Sequence, residues 1–248
     1  MRRRLHEDVH WITNCFESSV EHLHLSLYLI ENDDEYVLVD TGSHYFEEAV
    51  HEEIYEVTGE DFVDSIIISH PDLAHTGNFG NIIERSDDVN WYSASSAPEL
   101  VGLAGATTVE MGGSMEISGR TLEFAEGPLA DLLHTIWVYD PESGTLFTAD
   151  GFCTYHNDGQ CRQTSAELED GFDAAQVDRY TRETFKWLKY VEPETLRDAL
   201  TTVLETYDVS YIAPIHGHPI ASDDVDAYVD AFMASVERAA TDPEIEIY

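Results

Sequence analysis

The amino-acid order sets the expectation of an α/β (α+β) fold, with two mixed sheets packed face to face and helices outside. Strand-like and helical runs follow one another in two series, and the second series closes on helices. Acids and histidines recur directly after the strand-like runs, as they do when the strand ends of one sheet edge converge. At 248 residues the chain can bury one substantial core, so a single domain over residues 1–248 is expected.

The first elements read as strands at His10–Phe16, Leu25–Ile30 and Tyr36–Val39, with Asn32-Asp33-Asp34 as the turn between the last two. Asp40-Thr41-Gly42 ends that hairpin, and an amphipathic helix at His44–Val57 leads to a strand at Ser65–Ser69. A short helix, a strand at Trp91–Ser93 and a helix near Pro98–Leu103 follow. Four further strand runs are expected near Thr107–Met111, Met115–Phe124, His134–Tyr139 and Thr145–Thr148. Asp150–Phe172 has no sustained period and reads as a long functional loop. Helices at Gln176–Tyr190, Glu194–Tyr207 and Asp223–Ala240 complete the order, with one strand at Ser210–Ala213.

Fifty acidic residues face twelve basic ones, for a formal net charge of −38. The acids are spread between apolar runs, which is the pattern of a solvated surface suited to molar salt. At about 1 M ionic strength the Debye length is about 3 Å, and the chain's self-repulsion is screened. A cationic partner is the competing explanation. Nucleic-acid binding is disfavoured because no basic stripe exists, Arg2-Arg3-Arg4 being a terminal tip. No run approaches the ~18 apolar residues of a membrane span, and no apolar leader follows the arginines. Three cysteines, Cys15, Cys153 and Cys161, form no framework spacing, which fits a reducing cytoplasm better than a disulfide-stapled domain.

The segment Ile66-Ile-Ile-Ser-His-Pro-Asp-Leu-Ala-His-Thr-Gly-Asn78 carries the most chemistry. A buried-strand run delivers His70, Asp72 and His75 into a turn, and imidazoles with a hard carboxylate suit a divalent or trivalent metal. Ordinary turn chemistry is the competing reading. The arrangement recurs at Asp40, at Asp131 with His134, at Asp150 and at His216. His218 is read as an exposed loop histidine or a polar group at the site mouth, and His22 and His24 as surface or satisfied core groups. Cys153 and Cys161, with His156 between them, hint at metal or redox chemistry but lack a matching second pair.

Asp-Thr-Gly (40–42), His-Pro-Asp-Leu-Ala-His-Thr-Gly (70–77), Asp150 and Ala-Pro-Ile-His-Gly (213–217) together resemble the metallo-β-lactamase superfamily. Within it the chain is most similar to the diiron domain of flavodiiron proteins and their single-domain oxygen-binding relatives. Gly119-Arg-Thr-Leu-Glu-Phe and Gly144-Thr-Leu-Phe-Thr-Ala-Asp also look like that branch. The resemblance implies an αββα four-layer sandwich and a metal motif His-x-Glu-x-Asp-His-x-Gly, with Asp72 in the place of the carboxylate. Two departures stand out. Ala74 replaces a metal-binding aspartate, and the position of a third metal histidine, eight residues before Tyr139, holds Asp131. His134 substitutes there only if the turn shifts.

Carried over on these positions, the resemblance gives one metal His70, Asp72, Asp131 and Asp150. It gives a second metal His75, His216 and the bridging Asp150, with water at the Ala74 gap and Asp40 as a supporting group. A carboxylate-rich, thiolate-free donor set favours iron or manganese over a zinc cage. The resemblance also implies an external redox partner and a homo-oligomer. No flavodoxin-like segment follows Ala240, so no bound flavin is expected. Three functions compete: a non-heme iron protein handling dioxygen or nitric oxide, a metal-dependent hydrolase of esters or phosphoesters, and a binding or regulatory module with a degenerate site.

Overall fold

Alternation along the strands decides how the layers stack. The computed structural model describes residues 2–17, 22–60, 62–85, 88–95 and 98–241; the stretch beyond 241, where no flavodoxin-like segment was read, lies outside them. In β4 (Glu35–Val39), Val37 and Val39 face the second sheet while Leu38 faces helices. In β5 (Ser65–Ile68) the assignment inverts, with Ile67 facing the second sheet and Ile66 and Ile68 the helices. Successive side chains point to opposite faces, so a strand buried on both sides must be apolar throughout. This is why these runs show no polar alternation in the sequence.

The first sheet has seven strands in chain order: β1 (Arg2–Arg4), β2 (Val9–Glu17), β3 (His22–Asn32), β4, β5, β6 (Asn90–Ser93) and β7 (Thr107–Thr108). Pairing is antiparallel from β1 to β4 and parallel from β4 to β7. The second sheet contains β8 (Ser114–Ile117), β9 (Arg120–Ala125), β10 (Trp137–Asp140), β11 (Thr145–Phe147), β12 (Tyr211–Ala213) and β13 (Ile220–Ala221), in the order β13-β12-β11-β10-β9-β8. Among the described residues only β11 and β12 pair in parallel there.

Val9, Trp11, Tyr28 and Ile67 meet Phe124, Val138, Phe147 and Ala213 between the sheets. On the outer face of the first sheet, Leu29, Leu38 and Ile66 pack on α1 (Glu47–Thr58) and α3 (Phe79–Arg85) through Val50, Ile54 and Ile82. On the outer face of the second, Trp137, Leu146 and Ile212 pack on α4 (Ala174–Thr184), α5 (Pro193–Thr206) and α6 (Val225–Thr241). The order is helices, sheet, sheet, helices: the expected four layers.

Several local readings change. Met115–Phe124 is a hairpin, β8 and β9, joined by Ser118 (φ 47°) and Gly119 (φ 70°). A two-residue turn with both φ positive matches the twist of the flanking strands, and Gly119 supplies it without strain. The helix read over Gln176–Tyr190 breaks at Phe185 into α4 and a 3₁₀ turn, Lys186–Tyr190. Arg2–Arg4 is an edge strand rather than a free tip, and Arg3 forms a forked pair with Glu167 at 2.5 and 2.7 Å. Cys15 and Cys161 are joined, against the expectation of a chain without disulfides, because the long loop folds back on β2. Among the described residues no helix is long and apolar enough to cross a membrane.

Candidate metal centre

Parallel pairing puts the chemistry at one end of both sheets. Val39 pairs with Ile67, and just beyond them Asp40 follows β4 while Ser69 and His70 follow β5. Phe147 pairs with Ala213, and three residues past each stand Asp150 and His216. Backbone bonds lock the two ends together: Ser26 N–H donates to the Ile215 carbonyl at 3.1 Å and Ile136 N–H to the Ser69 carbonyl at 2.9 Å. Asp40 and Ala149 take positive φ, 61° and 49°, while almost fully buried. Such conformations persist only where the surroundings over-determine them.

Asp150 is the hub. Its Oδ1 lies 3.2 Å from His75 Nε2 and 3.2 Å from His216 Nε2, and its Oδ2 lies 3.6 Å from His70 Nε2. Asp72 adds Oδ2 at 3.8 Å from His70 Nε2 and Oδ1 at 3.9 Å from His75 Nε2. One donor atom each from His70, Asp72, His75 and Asp150 falls within 4.8 Å of the others. Asp72 is also the N-cap of α2 (Leu73–Thr76), accepting the Ala74 N–H at 2.8 Å, so the helix start aims its carboxylate.

Every imidazole is held from behind. His75 Nδ1 is 2.8 Å from Asp40 Oδ2, and Asp40 is itself fixed by the Ser69 N–H at 2.8 Å and the Ser69 hydroxyl at 2.5 Å. His216 Nδ1–H donates to the His24 carbonyl at 2.9 Å. His70 Nδ1 is 2.8 Å from the Thr135 hydroxyl oxygen. That hydroxyl donates to the Leu132 carbonyl, which leaves its oxygen to accept from His70. A partner on one ring nitrogen fixes the tautomer and orients the other nitrogen as a ligand. Nothing among the described residues hydrogen-bonds His70 Nε2, although it is buried. A buried, unpartnered nitrogen facing two carboxylates fits a cation.

Charge is arranged to match. Burial opposes charge on His75, but Asp40 and Asp150 outweigh it and raise the imidazole well above its ordinary range. Burial likewise opposes ionisation of Asp150, yet His216, His75 and His70 hold it well below the usual carboxylate range. Asp131 moves the other way, raised by burial and then by the negative Asp150.

The structure thus gathers His70, Asp72, His75, Asp150 and His216, with Asp40 behind His75. Asp131 approaches the opposite edge of His70, with Oδ1 3.6 Å from Nδ1. His134 takes φ 72° and makes none of the contacts described within this cluster; its neighbour Thr135 holds His70 instead. His218 is buried rather than exposed, bonded to the Gln163 carbonyl at 2.7 Å and packed on His24 and His156. His24 is fully buried as well. Ser69, Thr135 and the His24 carbonyl were missed in the sequence. Hydroxyls and a backbone oxygen leave no spacing signal, though Ser69 adjoins the motif.

A family model described as "ODP family beta lactamase" matches residues 23–217. A nitric oxide reductase of Moorella thermoacetica is 27% identical over 151 residues, covering 58% of this chain and 36% of the relative. The solved rubredoxin oxygen:oxidoreductase of Desulfovibrio gigas aligns with a TM-score of 0.76 at 17% identity, over 96% of this chain and 62% of that one. The flavodiiron protein of Giardia intestinalis aligns with a TM-score of 0.73 at 19% identity, over 97% and 59%. The chain therefore has the metallo-β-lactamase-type sandwich of flavodiiron cores. It spans about a third of the reductase's length and less than two thirds of the two solved chains.

Proposed function

The chain belongs to the ODP family beta lactamase, and from that premise we propose that it is a non-heme iron protein that binds or reduces dioxygen or nitric oxide. One observation carries the reading: three buried imidazoles, each tethered at Nδ1, present Nε2 to the single carboxylate of Asp150. One ion would be held by His70, Asp72 and Asp150. A second would be held by His75, His216 and Asp150, and Ala74 has no donor to offer it. Hard oxygens and imidazoles without thiolate favour iron, then manganese, over zinc. Iron bound there would supply the one-electron chemistry that reduction of a diatomic ligand needs.

The protein's own groups do the rest. Asp150 balances the charge of the site and holds three rings on one point. Asp40 keeps His75 oriented. Asp72, with its side chain 41% exposed, marks the side from which a small molecule enters. Exposed Leu73, Leu132 and Leu133 adjoin Asp72 and Asp131 in sequence, which supports docking of an external redox partner or a second copy of the chain at this rim. The acidic composition supports a cytoplasm of high salt as its setting. Dilution to about 0.1 M, where the Debye length reaches about 10 Å, is expected to lower the melting temperature.

Ala74 favours a second reading, a binding module with a single occupied position. Metal analysis of protein purified anaerobically in high salt tests both. Iron at one to two ions per chain, with nitric oxide binding to the ferrous form seen by paramagnetic resonance, is the expected result. Protein that is folded but free of iron, and that takes none up when supplied, would refute the proposal.

A further inference from the structure

Beside the first cluster lies a second, of different chemistry, formed by Cys15, His24, His156 and Cys161. Its parts come from two places. Cys15 on β2 and His24 on β3 are direct ladder partners, so both project from the same face of the sheet. The loop after β11 supplies the other two. His156 N–H donates to the His22 carbonyl at 3.1 Å, laying the loop along β3, and five residues later Cys161 reaches Cys15 with 6.1 Å between their Cα atoms.

Four donor atoms, one per residue, fall within 4.8 Å of each other. A tetrahedral site with bonds of 2.0–2.3 Å needs its corners about 3.3–3.8 Å apart, so the nitrogens close in slightly and the sulfurs, once their bond is broken, rotate apart to that spacing. Both histidines are buried, and the Nδ1 atoms of His24 and His156 have no hydrogen-bond partner among the described residues. His156 turns Nε2 toward Cys15 Sγ at 3.3 Å, whereas His24 Nε2 is taken by the Cys161 carbonyl, which leaves the unpartnered Nδ1 of His24 for a cation. The loop is held in place independently. Arg3 donates to the Arg162 carbonyl, His24 Nε2 lies 2.9 Å from the Cys161 carbonyl, and Thr164 and Glu167 form a capping box just beyond.

We propose that Cys15, His24, His156 and Cys161 form a second metal site, for a borderline-soft divalent cation of the zinc class, distinct from the oxygen-rich cluster around Asp150. Two sulfurs and two imidazole nitrogens in a tetrahedron are the donor set that such a cation takes. The joined cysteines are the oxidised, metal-free form of the same site. A dithiol reductant delivers two electrons and two protons, breaking the sulfur–sulfur bond to leave two thiols while the reductant closes its own disulfide. Binding the cation then releases both thiol protons as the thiolates coordinate. The site needs nothing from the iron reading, since it shares no ligand with that cluster.

The test uses the full chain in high salt, reduced anaerobically with a dithiol, stripped with a chelator, desalted and titrated with Co2+. The first cluster has no thiolate, so near-ultraviolet thiolate-to-cobalt charge transfer reports the second alone. The expected result is a charge-transfer band whose final intensity corresponds to one thiolate-bound Co2+ per chain and which is displaced by Zn2+. C161S should abolish the band and leave the far-ultraviolet circular dichroism intact. C153S, which removes the remaining thiol, should leave the band unchanged. A reduced wild-type chain without the band, whether it stays thiol or re-forms the disulfide, overturns the proposal. So does a band that persists in C161S or disappears in C153S.

Discussion

The two histidine clusters solve opposite problems. Around Asp150 each imidazole is tethered at Nδ1, and carboxylates hold His75 well above its ordinary range. Around Cys15 and Cys161, among the described residues, no carboxylate joins the group and the Nδ1 atoms of His24 and His156 are unpartnered, and burial pushes the neighbouring imidazoles down, His156 to about 3 and His218 to about 4. The first is a pre-organised set of imidazoles and carboxylates that could hold a hard cation. The second pairs two buried imidazoles with two half-buried sulfurs, which suits a softer cation once the sulfurs are reduced. Neighbouring groups, rather than the histidines themselves, set this difference.

Removing the hub should separate the two most sharply. Asp150→Ala is expected to lower iron affinity at the first cluster by more than roughly 100-fold, beyond the 10–100-fold typical of losing a supporting group. Thiolate-to-cobalt charge transfer at the second should be unaffected. Iron retained at the wild-type level by metal analysis would break the comparison. Asp40→Asn keeps the shape but weakens the hold on His75. An affinity loss of about 10- to 100-fold is expected in iron titrations, again confined to the first cluster.

A smaller effect is expected from Ala74→Asp, which offers an oxygen at the start of α2. The metal-to-chain ratio should rise, and no rise would mean that this turn does not face a second ion. The smallest effect concerns the clamp on the loop. Arg3 lowers the Glu167 carboxyl to about 2, so this pair's contribution is complete above about 4.5 and disappears as pH falls from there toward 2. The pair is largely exposed and worth about 0–1 kcal/mol. Arg3→Ala should therefore lower the neutral-pH melting temperature slightly and flatten its acid dependence over that window.

Layers and most strand positions were legible because doubly buried strands write themselves as unbroken apolar runs, as in Ile66–Ile68 and Tyr36–Val39. The hairpin at Ser118-Gly119 was not, although Ser-Gly between Ile117 and Leu122 is a turn signal, because strand-like residues flank it closely on both sides. In the first cluster, strand-end position pointed to His70, Asp150 and His216, and a resemblance ordered them. The backing groups were hidden because a hydroxyl or a carbonyl can serve any ring that packs against it. The second cluster escaped for a different reason. Cys153 was paired with Cys161 by spacing along one loop, whereas the true neighbour of Cys161 is Cys15, 146 residues earlier, brought in by ladder register.

His24 belongs to both neighbourhoods: its ring faces the sulfurs, while its backbone oxygen steadies His216. Ring and carbonyl hang on one residue, so a shift of this stretch of β3 moves both. Filling or emptying the thiol pocket should consequently register as a small change in the magnetic or optical spectrum of iron beside Asp150, with no electron passing between them.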